Sequence, residues 1–307
     1  MSEIILKTQK LTKKYGTFSA VDNMDIQVNQ GDIYGLVGKN GAGKTTLLKM
    51  LCGLSVPTQG EFELFSQKTE KGLNEVRAKT GSIIETPSFL PYLSAEKNLE
   101  YYRIQRGIQN KNCVKESLQF VGLADTGKKK FKNFSLGMKQ RLGLALAIMN
   151  NPDLLILDEP INGLDPMGIA EFRDIILKLN HEKNTTIIIS SHILGELSQI
   201  ATTYGFMNSG RLVEHISVQD LHEKCKRQLK IQVDDTNKAA NILQKELSCT
   251  NIQIVNEHDM LVADQLDAPE KMVRALVLND IMVSEVRSTG LNLEEYFIQL
   301  VGGMQNA

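Results

Sequence analysis

The chain has 307 residues, a formal net charge of −1 at pH 7 and an apolar content of 42%. This length suits one large domain with a small one, or two medium domains, around an ordinary packed core. A charge close to zero argues against a general electrostatic attraction to nucleic acid or anionic lipid. No apolar run approaches the ~18 residues of a membrane span, and the first residues offer no signal peptide. The four cysteines are scattered without metal-ligand spacing, so we expect free thiols in a reducing cytosol.

The first 35 residues alternate in the manner of β-strands, with predicted strand segments at 4–6, 21–28 and 33–34. Tyr15 is predicted to lie in the turn Lys13–Gly16. An aromatic residue in a turn is commonly structural, but upstream of a nucleotide-binding loop its ring could stack on adenine.

The segment Gly38–Thr45 reads G-K-N-G-A-G-K-T and matches the phosphate-binding pattern G-x-x-x-x-G-K-[ST] without a mismatch. A predicted strand, Ile33–Val37, precedes it and a helical pattern follows it, as the motif requires. Glycines let the backbone wrap around phosphates, and the amides and dipole of the following helix attract the anion. We predict that Lys44 reaches the β- and γ-phosphates and that the Thr45 hydroxyl binds Mg²⁺. The predicted nucleotide contacts of this loop are Gly38, Asn40, Gly41, Ala42, Gly43, Lys44, Thr45 and Thr46.

Two short strands are predicted next, at 61–65 and 81–85, and the second ends in the carboxylate of Glu85 before Thr86 and Pro87. The pattern then becomes helical, and we predict helices at 95–106, 111–121 and 137–149.

Residues 154–157 are apolar and end in Asp158 and Glu159, which indicates a buried parallel strand with two acids at its carboxyl end. Ligands bind at that end of open α/β sheets, and strand alternation aims adjacent side chains differently. One acid can therefore hold Mg²⁺ while the other meets a water. A helix at 167–181 and a buried strand at 185–190 follow. His192 stands at the strand's tip; a lone histidine is more often structural, but this one could reach the same phosphate.

Taken in order, these motifs resemble those of the nucleotide-binding subunits of ABC transporters, over residues 1–220. The resemblance implies an α/β fold: a P-loop NTPase cassette with a parallel core sheet, an N-terminal antiparallel β-subdomain and a helical insert at about 90–150. The stretch 134–138, F-S-L-G-M, is similar to the signature L-S-G-G-Q and keeps Ser135 and Gly137, the two residues with which the family holds a γ-phosphate. Tyr15 falls where the family places its adenine-stacking aromatic.

The resemblance also implies an ATPase in which two ATP molecules lie between two head-to-tail copies, each site capped by the other copy's Ser135 and Gly137. Asp158 would hold Mg²⁺, Glu159 would polarise the attacking water, and Lys44 would stabilise the transferring phosphoryl group. His192 would position the γ-phosphate and link it to the following D-loop, which ends at Asp165. The expected partner is a separate integral-membrane permease, with this subunit peripheral on the cytoplasmic face of the membrane and no nucleic acid bound.

Glu85 stands where the family usually has glutamine. That glutamate, with the stretch 87–94, resembles the branch that exports bacitracin and lantibiotic-type peptides for resistance or self-protection. Its charge would lie near Asp158 and Glu159, so we expect it to approach Mg²⁺, to make the site more dependent on Mg²⁺ and to act with Asp165 in coupling to the permease. The alternative is a tolerated substitution without a distinct effect.

The tail, 221–307, is predicted as a β-α-β-β-α-β module with a final helix, a small α+β accessory domain. It offers no catalytic candidate, and dimer contact, regulation and stability all remain open as its role.

Three other functions remain as alternatives. A soluble ABC ATPase acting on ribosomes typically carries two cassettes, whereas this chain has one phosphate loop. A DNA-repair ATPase of the same superfamily needs long heptad arms, which the sequence lacks. A switch GTPase needs the guanine-reading motif N-K-x-D, which is also missing.

Overall fold

The computed structural model describes residues 3–85, 88–225, 228–289 and 293–302. The chain divides into two compact units, and the boundary along the sequence falls between Val218 and Gln219. Thr86 and Pro87, part of the predicted peptide-export resemblance, lie outside the described residues. In chain order the elements are β1 (Ile4–Tyr15), β2 (Phe18–Met24), β3 (Gln27–Asn29), β4 (Ile33–Gly38), α1 (Lys44–Leu51), β5 (Gln59–Leu64), α2 (Glu70–Arg77), β6 (Thr80–Ile83), α3 (Ala95–Gln105), α4 (Cys113–Phe120), α5 (Leu136–Ile148), β7 (Leu154–Leu157), α6 (Pro166–Lys183), β8 (Thr186–Ser191), α7 (Leu194–Leu197), β9 (Thr203–Asn208), β10 (Arg211–Ser217), α8 (Val218–Cys225), β11 (Gln228–Val233), α9 (Thr236–Leu247), β12 (Ile252–Ile254), β13 (Asp259–Val262), α10 (Pro269–Leu278), β14 (Val283–Thr289) and α11 (Leu293–Gly302).

The first unit is built on a six-stranded sheet in the order β10-β9-β4-β8-β7-β6. Its strands are parallel except β10, which pairs antiparallel with β9 at one edge. Every residue of β4, β7 and β8 is buried, as continuous apolar strands covered on both faces should be. The carboxyl ends of these three strands meet at one edge, and the phosphate loop, the acidic pair and His192 follow them directly. The predicted cassette fold is therefore confirmed.

An antiparallel sheet of β1, β2, β3 and β5 packs beside this core, and it corrects two predictions. The predicted strand at 21–28 is two strands, because the chain breaks at Asp25, whose carboxylate accepts a hydrogen bond from the Lys10 amide at 2.6 Å. Tyr15 lies at the end of β1 rather than in a turn, because its backbone still pairs with Phe18 of β2.

The insert contains α3, α4 and α5, each within two residues of its predicted bounds. Asn98 of α3 is fully buried and fixes the preceding segment. Its side chain accepts from the Leu90 amide and donates to carbonyls of Leu90, Leu93 and Ser94. The prediction did not include α2, α7, α8, β9 or β10.

Strand β6 ends at Ile83, two residues before the predicted end at Glu85. The pairing with β7 stops at Ile83 and Leu157, and the Ile83 carbonyl then accepts from the Asp158 amide at 2.8 Å. Glu85 has left the sheet, with a left-handed φ of 63°.

The second unit has a four-stranded antiparallel sheet in the order β12-β13-β11-β14. Helices α9 and α10 contribute Leu243, Met272 and Leu276 to the apolar cluster that also buries Ile231 and Met260 of the sheet. This is the predicted split-βαβ arrangement, with α11 as the final helix. None of the four cysteines forms a disulfide. Within the described ranges, no helix is both long and apolar enough to span a membrane.

Candidate functional site

The phosphate loop is held between the backbones of two strands. A Cβ on Gly43, whose φ is 102°, would lie 2.2 Å from the Ala20 carbonyl oxygen of β2, and one on Gly38 would lie 2.7 Å from the Met207 carbonyl oxygen of β9. Only glycine fits at these two positions. Helix α1 starts at Lys44, so the amides of its first turn have no acceptor within the helix. They are available to an anion, as the motif predicts.

Three of the predicted catalytic side chains form one cluster at this edge of the sheet. The Lys44 ammonium lies 3.0 Å from Oε1 of Glu159, and Nδ1 of His192 lies 2.6 Å from Oε2. Lys44 also donates to the Gly38 carbonyl at 2.6 Å and is only 5% exposed. Because an ionised carboxylate only accepts hydrogen bonds, Nδ1 of His192 carries the proton. The carboxylate is thus fixed by a cation on one oxygen and an imidazole on the other.

Asp158 lies beside this cluster and is buried, with 7% of its surface exposed. Its Oδ1 accepts a hydrogen bond from the Ser190 hydroxyl at 2.7 Å. Among the described residues, no group of three or more histidine, cysteine, aspartate and glutamate side chains could hold a metal. The carboxylate of Asp158 and the hydroxyl of Thr45 nevertheless suit Mg²⁺. This ion prefers oxygen ligands and usually completes its coordination shell with waters and phosphate. The predicted pair, Asp158 and Thr45, therefore fits this ion chemically.

Glu85 forms an ion pair with Lys49 of α1, with a distance of 2.5 Å between Oε1 and Nζ. The hydrogen bond that Lys49 donates to this carboxylate raises the pKa of Lys49 above its usual value, and the negative charge of Asp158 acts in the same direction. The sequence predicts that the negative charge of Glu85 lies near the two acids of the site, Asp158 and Glu159. It has a cation of its own, so the expected repulsion is reduced.

Tyr15 is 53% exposed and follows Lys13, whose ammonium lies 5.1 Å from the centroid of its ring. Ala20, further along the same hairpin, packs against Gly43 of the phosphate loop. The hairpin that contacts the phosphate loop therefore also carries an accessible aromatic ring, as an adenine platform requires.

The signature residues and Asp165 line a separate depression of about 370 Å³. Ser135 is the N-cap of α5, and its hydroxyl accepts from the Met138 amide at 3.3 Å. Asp165 caps α6 in the same way. A Cβ on Gly137 would meet only the Leu164 side chain, at 3.9 Å, so packing within the chain does not require a glycine there.

The structure thus brings the predicted catalytic residues together in one group and the predicted signature residues together with Asp165 in another. Within the described residues, no hydrogen bond or ion pair joins the group around Lys44 to the group around Ser135. Sequence reasoning missed Ser190 and Lys49. The signal for Ser190 is a hydroxyl that interrupts the apolar run Ile187–Ile189 just before the strand ends. Nothing in the sequence alone pairs Lys49 with a residue 36 positions away.

Comparisons with known proteins agree with this architecture. The family model described as ABC transporter matches residues 21–162. The chain is 42% identical over 301 residues to the bacitracin transport ATP-binding protein of Enterococcus faecalis, covering 98% of this chain and 97% of that protein. It is 41% identical over 228 residues to a lantibiotic transport ATP-binding protein of Streptococcus pyogenes, covering 73% of this chain and 97% of that protein.

Among solved structures, the fold is similar to that of a dimeric ATP-binding cassette bound to ADP and Pi. The TM-score is 0.62 at 24% identity, and the match covers 69% of this chain and 98% of that one. At this identity the structural match shows only the fold, whereas the sequence matches show the family. The chain belongs to the ABC transporter family, as one of its ATP-binding, ATP-hydrolysing subunits.

Proposed function

We propose that this subunit works as a head-to-tail pair of copies and powers export through a separate integral-membrane permease, on the cytoplasmic face of the membrane. The observation that carries the ATPase chemistry is the double contact of Glu159 with Lys44 and His192. It places a carboxylate, a cation and an imidazole where the phosphate loop, the acidic strand and the next strand end together.

In this proposal, ATP lies along the loop amides at 38–46, with its adenine ring against Tyr15. Lys44 exchanges the Glu159 carboxylate for the β- and γ-phosphates, because two negative groups compete for one ammonium. Thr45 and Asp158 would hold Mg²⁺, which would neutralise negative charge on the phosphate oxygens. Glu159, released from Lys44, accepts the proton of the attacking water as general base. His192 stays on the second oxygen of that carboxylate and keeps it oriented beside the γ-phosphate.

The second copy completes each site through Ser135 and Gly137. Helix α5 has 13 residues, and its first-turn amides and dipole favour an anion at the signature. The open space around Gly137 is explained if a phosphate and the loop of another copy approach there. Asp165, on the rim of the same depression, would couple nucleotide binding and hydrolysis in one site to the other site. Glu85 would couple these events to the permease.

We propose a peptide antibiotic of the bacitracin or lantibiotic type as the exported cargo, for resistance or self-protection. Support comes from the transport functions of the relatives and from the extent of the match, which reaches 98% of this chain for the bacitracin transport protein. The same relatives favour a transport role over an ATPase acting on ribosomes.

The pairing is tested by complementation between two inactive variants. Ser135→Arg should abolish hydrolysis without weakening ATP binding to the monomer, because the residue serves the other copy's nucleotide. Mixing it with Lys44→Ala should restore up to one working site per heterodimer. Thr69→Arg is a matched control, since Thr69 also caps a helix, α2, and has no part in the proposed site. If heterodimers form and no activity returns, each copy hydrolyses ATP alone and the composite site is wrong.

A further inference from the structure

Ser190 makes two hydrogen bonds that join both acids of the site to strand β8. Its hydroxyl donates to Oδ1 of Asp158 at 2.7 Å and accepts from the backbone amide of Glu159 at 2.9 Å. The residue is fully buried, with 0% exposure. We propose that Ser190 is a positioning residue, which orients the Mg²⁺-binding carboxylate and the general base through one hydroxyl. The proposal rests on the function proposed above.

Only a hydroxyl can make both contacts from this position. It has one hydrogen to donate and two lone pairs to accept with, whereas the carboxylate can only accept and the amide can only donate. An apolar side chain at 190 would leave a buried carboxylate oxygen and a buried amide without their partner. The other carboxylate oxygen of Asp158, Oδ2, has no hydrogen bond or ion pair within the described ranges. The Ser190 bond therefore occupies one oxygen and leaves the second for the metal, an arrangement in which outer groups orient the metal ligand.

The bond to Glu159 acts on its backbone. Glu159 has a φ of 46°, in the left-handed region that residues other than glycine rarely adopt. Such a conformation persists where surrounding contacts hold it, and it is common at active sites. Ser190 holds the amide of Glu159, while His192, two residues along the same strand end, holds its carboxylate. Strand β8 and the residue that follows it thus hold both the backbone and the side chain of Glu159.

A purely structural hydroxyl would have a different consequence. The pairing of β7 with β8 ends at Leu157 and Ile189, so the Ser190 bonds extend the contact of these strands by one step. If that were their whole purpose, removing the hydroxyl would lower thermal stability and leave the Mg²⁺ dependence unchanged. The two roles are therefore separable by experiment.

The test compares Ser190→Ala, Ser190→Thr and Ser190→Val in the full chain. Three properties are measured for each variant. The first is the melting temperature, and the second is the affinity for a non-hydrolysable ATP analogue, without Mg²⁺ and over a Mg²⁺ titration. The third is the pair of kinetic constants for ATP, kcat and KM. Thr186→Val is the matched control: Thr186 is also fully buried on β8, and its hydroxyl accepts from the Gly31 amide at the opposite end of the strand.

Ser190→Ala should raise the half-saturating Mg²⁺ concentration for analogue binding and lower kcat, each by about 10–100-fold, the usual effect of removing an outer-shell partner of a metal ligand. Affinity without Mg²⁺ and KM at saturating Mg²⁺ should change little. Ser190→Thr, which keeps the hydroxyl, should bind Mg²⁺ as wild type does, and Ser190→Val, its equal in shape, should resemble Ser190→Ala.

A Mg²⁺ titration of Ser190→Ala no different from that of Thr186→Val would overturn the proposal, whatever the two melting temperatures are. If the branched side chains prevent folding, the comparison of Ser190→Ala with the control decides alone. Wild type is assayed first: failure of the unaltered chain to bind and hydrolyse ATP would contradict the proposed function, and not the role of Ser190 within it.

Discussion

At the scale of single residues, Glu159 shows how the site is prepared for chemistry. Its carboxylate contacts Lys44 through one oxygen and His192 through the other, and the side chain is only 21% exposed. A phosphate must displace this carboxylate from Lys44. The contact with His192 remains, so the carboxylate has few orientations to lose when the reaction begins, which is the advantage of a preorganised site.

Glu159→Gln keeps the shape of the side chain and removes the base. A positioned general base contributes about 10²–10⁴-fold, so turnover should fall by that factor. ATP binding should survive, because an uncharged amide competes less well for Lys44, and an ATP-bound dimer should accumulate on size exclusion. Glu196→Gln is the control, since Glu196 also accepts a hydrogen bond near the end of β8, from Ser191. Hydrolysis near the wild-type rate in Glu159→Gln would exclude Glu159 as the base.

The sequence was enough to predict Lys44, Asp158 and Glu159, because each belongs to a motif whose backbone geometry repeats among nucleotide-binding proteins. It did not predict the left-handed backbone of Glu159 or the hydroxyl that supports it. Those depend on Ser190, which is 31 positions away and reaches Glu159 only because β7 and β8 are neighbours in the sheet. Sequence periodicity finds the strands but not the pairing of single atoms between them.

At the scale of elements, the ion pair of Lys49 with Glu85 connects helix α1 to the segment that follows β6. The exposed fractions are 34% for Lys49 and 66% for Glu85, so solvent screens much of the interaction and its worth is about 0–1 kcal/mol. Its effect on function is therefore through local charge rather than stability. The charge of Asp158 raises the pKa of Lys49 in the same direction as that of Glu85, so Lys49 interacts electrostatically with both carboxylates.

This geometry changes the expected effect of Glu85→Gln. We expected the glutamate to increase the need for Mg²⁺; its removal would instead leave the Lys49 cation unpaired near Asp158. Glu85→Gln should raise the half-saturating Mg²⁺ concentration for hydrolysis and Lys49→Met should lower it, each by about two- to fivefold, the range of an exposed ion pair. The double variant should return close to wild type, because both charges are gone.

Lys68→Met is the control for this cycle, since Lys68 pairs with Glu61 and Glu63 elsewhere on the surface. The ATPase rate of Glu85→Gln at saturating Mg²⁺ should stay within roughly tenfold of wild type, far milder than loss of the base. A loss as deep as that of Glu159→Gln would show that Glu85 handles the water. A double variant whose half-saturating Mg²⁺ concentration stays far from that of wild type would show that the two charges do not offset one another.

Helices α3, α4 and α5 were predicted to within two residues of their bounds, and the N-cap residue Ser94 marks the start of α3 in the sequence. Helix α2 was missed, because Leu73 and Val76 are its only large apolar residues, too few to define a helical period. Strand β6 was predicted too long, because Ile84 continues the strand-favouring sequence although the neighbouring strand β7 has ended. Propensity is local, whereas the end of a strand is decided by its partner.

At the scale of the whole molecule, the two units have separate apolar cores. The cluster around Leu48, Ile156 and Ile188 lies within the first unit, and that around Ile231 and Met260 lies within the second. All residues predicted to contact the nucleotide lie in the first unit, so we expect that the second unit is not needed to bind nucleotide.

A chain cut after Val218 should therefore fold and bind ATP. This cut keeps β10 on the sheet and also keeps the hydrogen bond from the Val218 amide to the Thr202 carbonyl, at 2.9 Å, which closes the last turn of the first unit. Circular dichroism and a thermal melt would establish folding, and titration with ATP would establish binding, with an affinity close to that of the full chain.

A cut after Gly210 is the matched control for that truncation. It removes β10, the edge strand that pairs with β9 along its length, and with it the contact of His215 with the hydroxyl of Tyr34, which is buried in the central strand. We expect this shorter chain to unfold or aggregate, because β9 becomes an open sheet edge. In addition, the Tyr34 hydroxyl loses the one side-chain hydrogen bond that it makes within the described residues. A chain cut after Val218 that folds but does not bind ATP would mean that the second unit contributes to the site, and one that does not fold would mean that the two cores depend on each other.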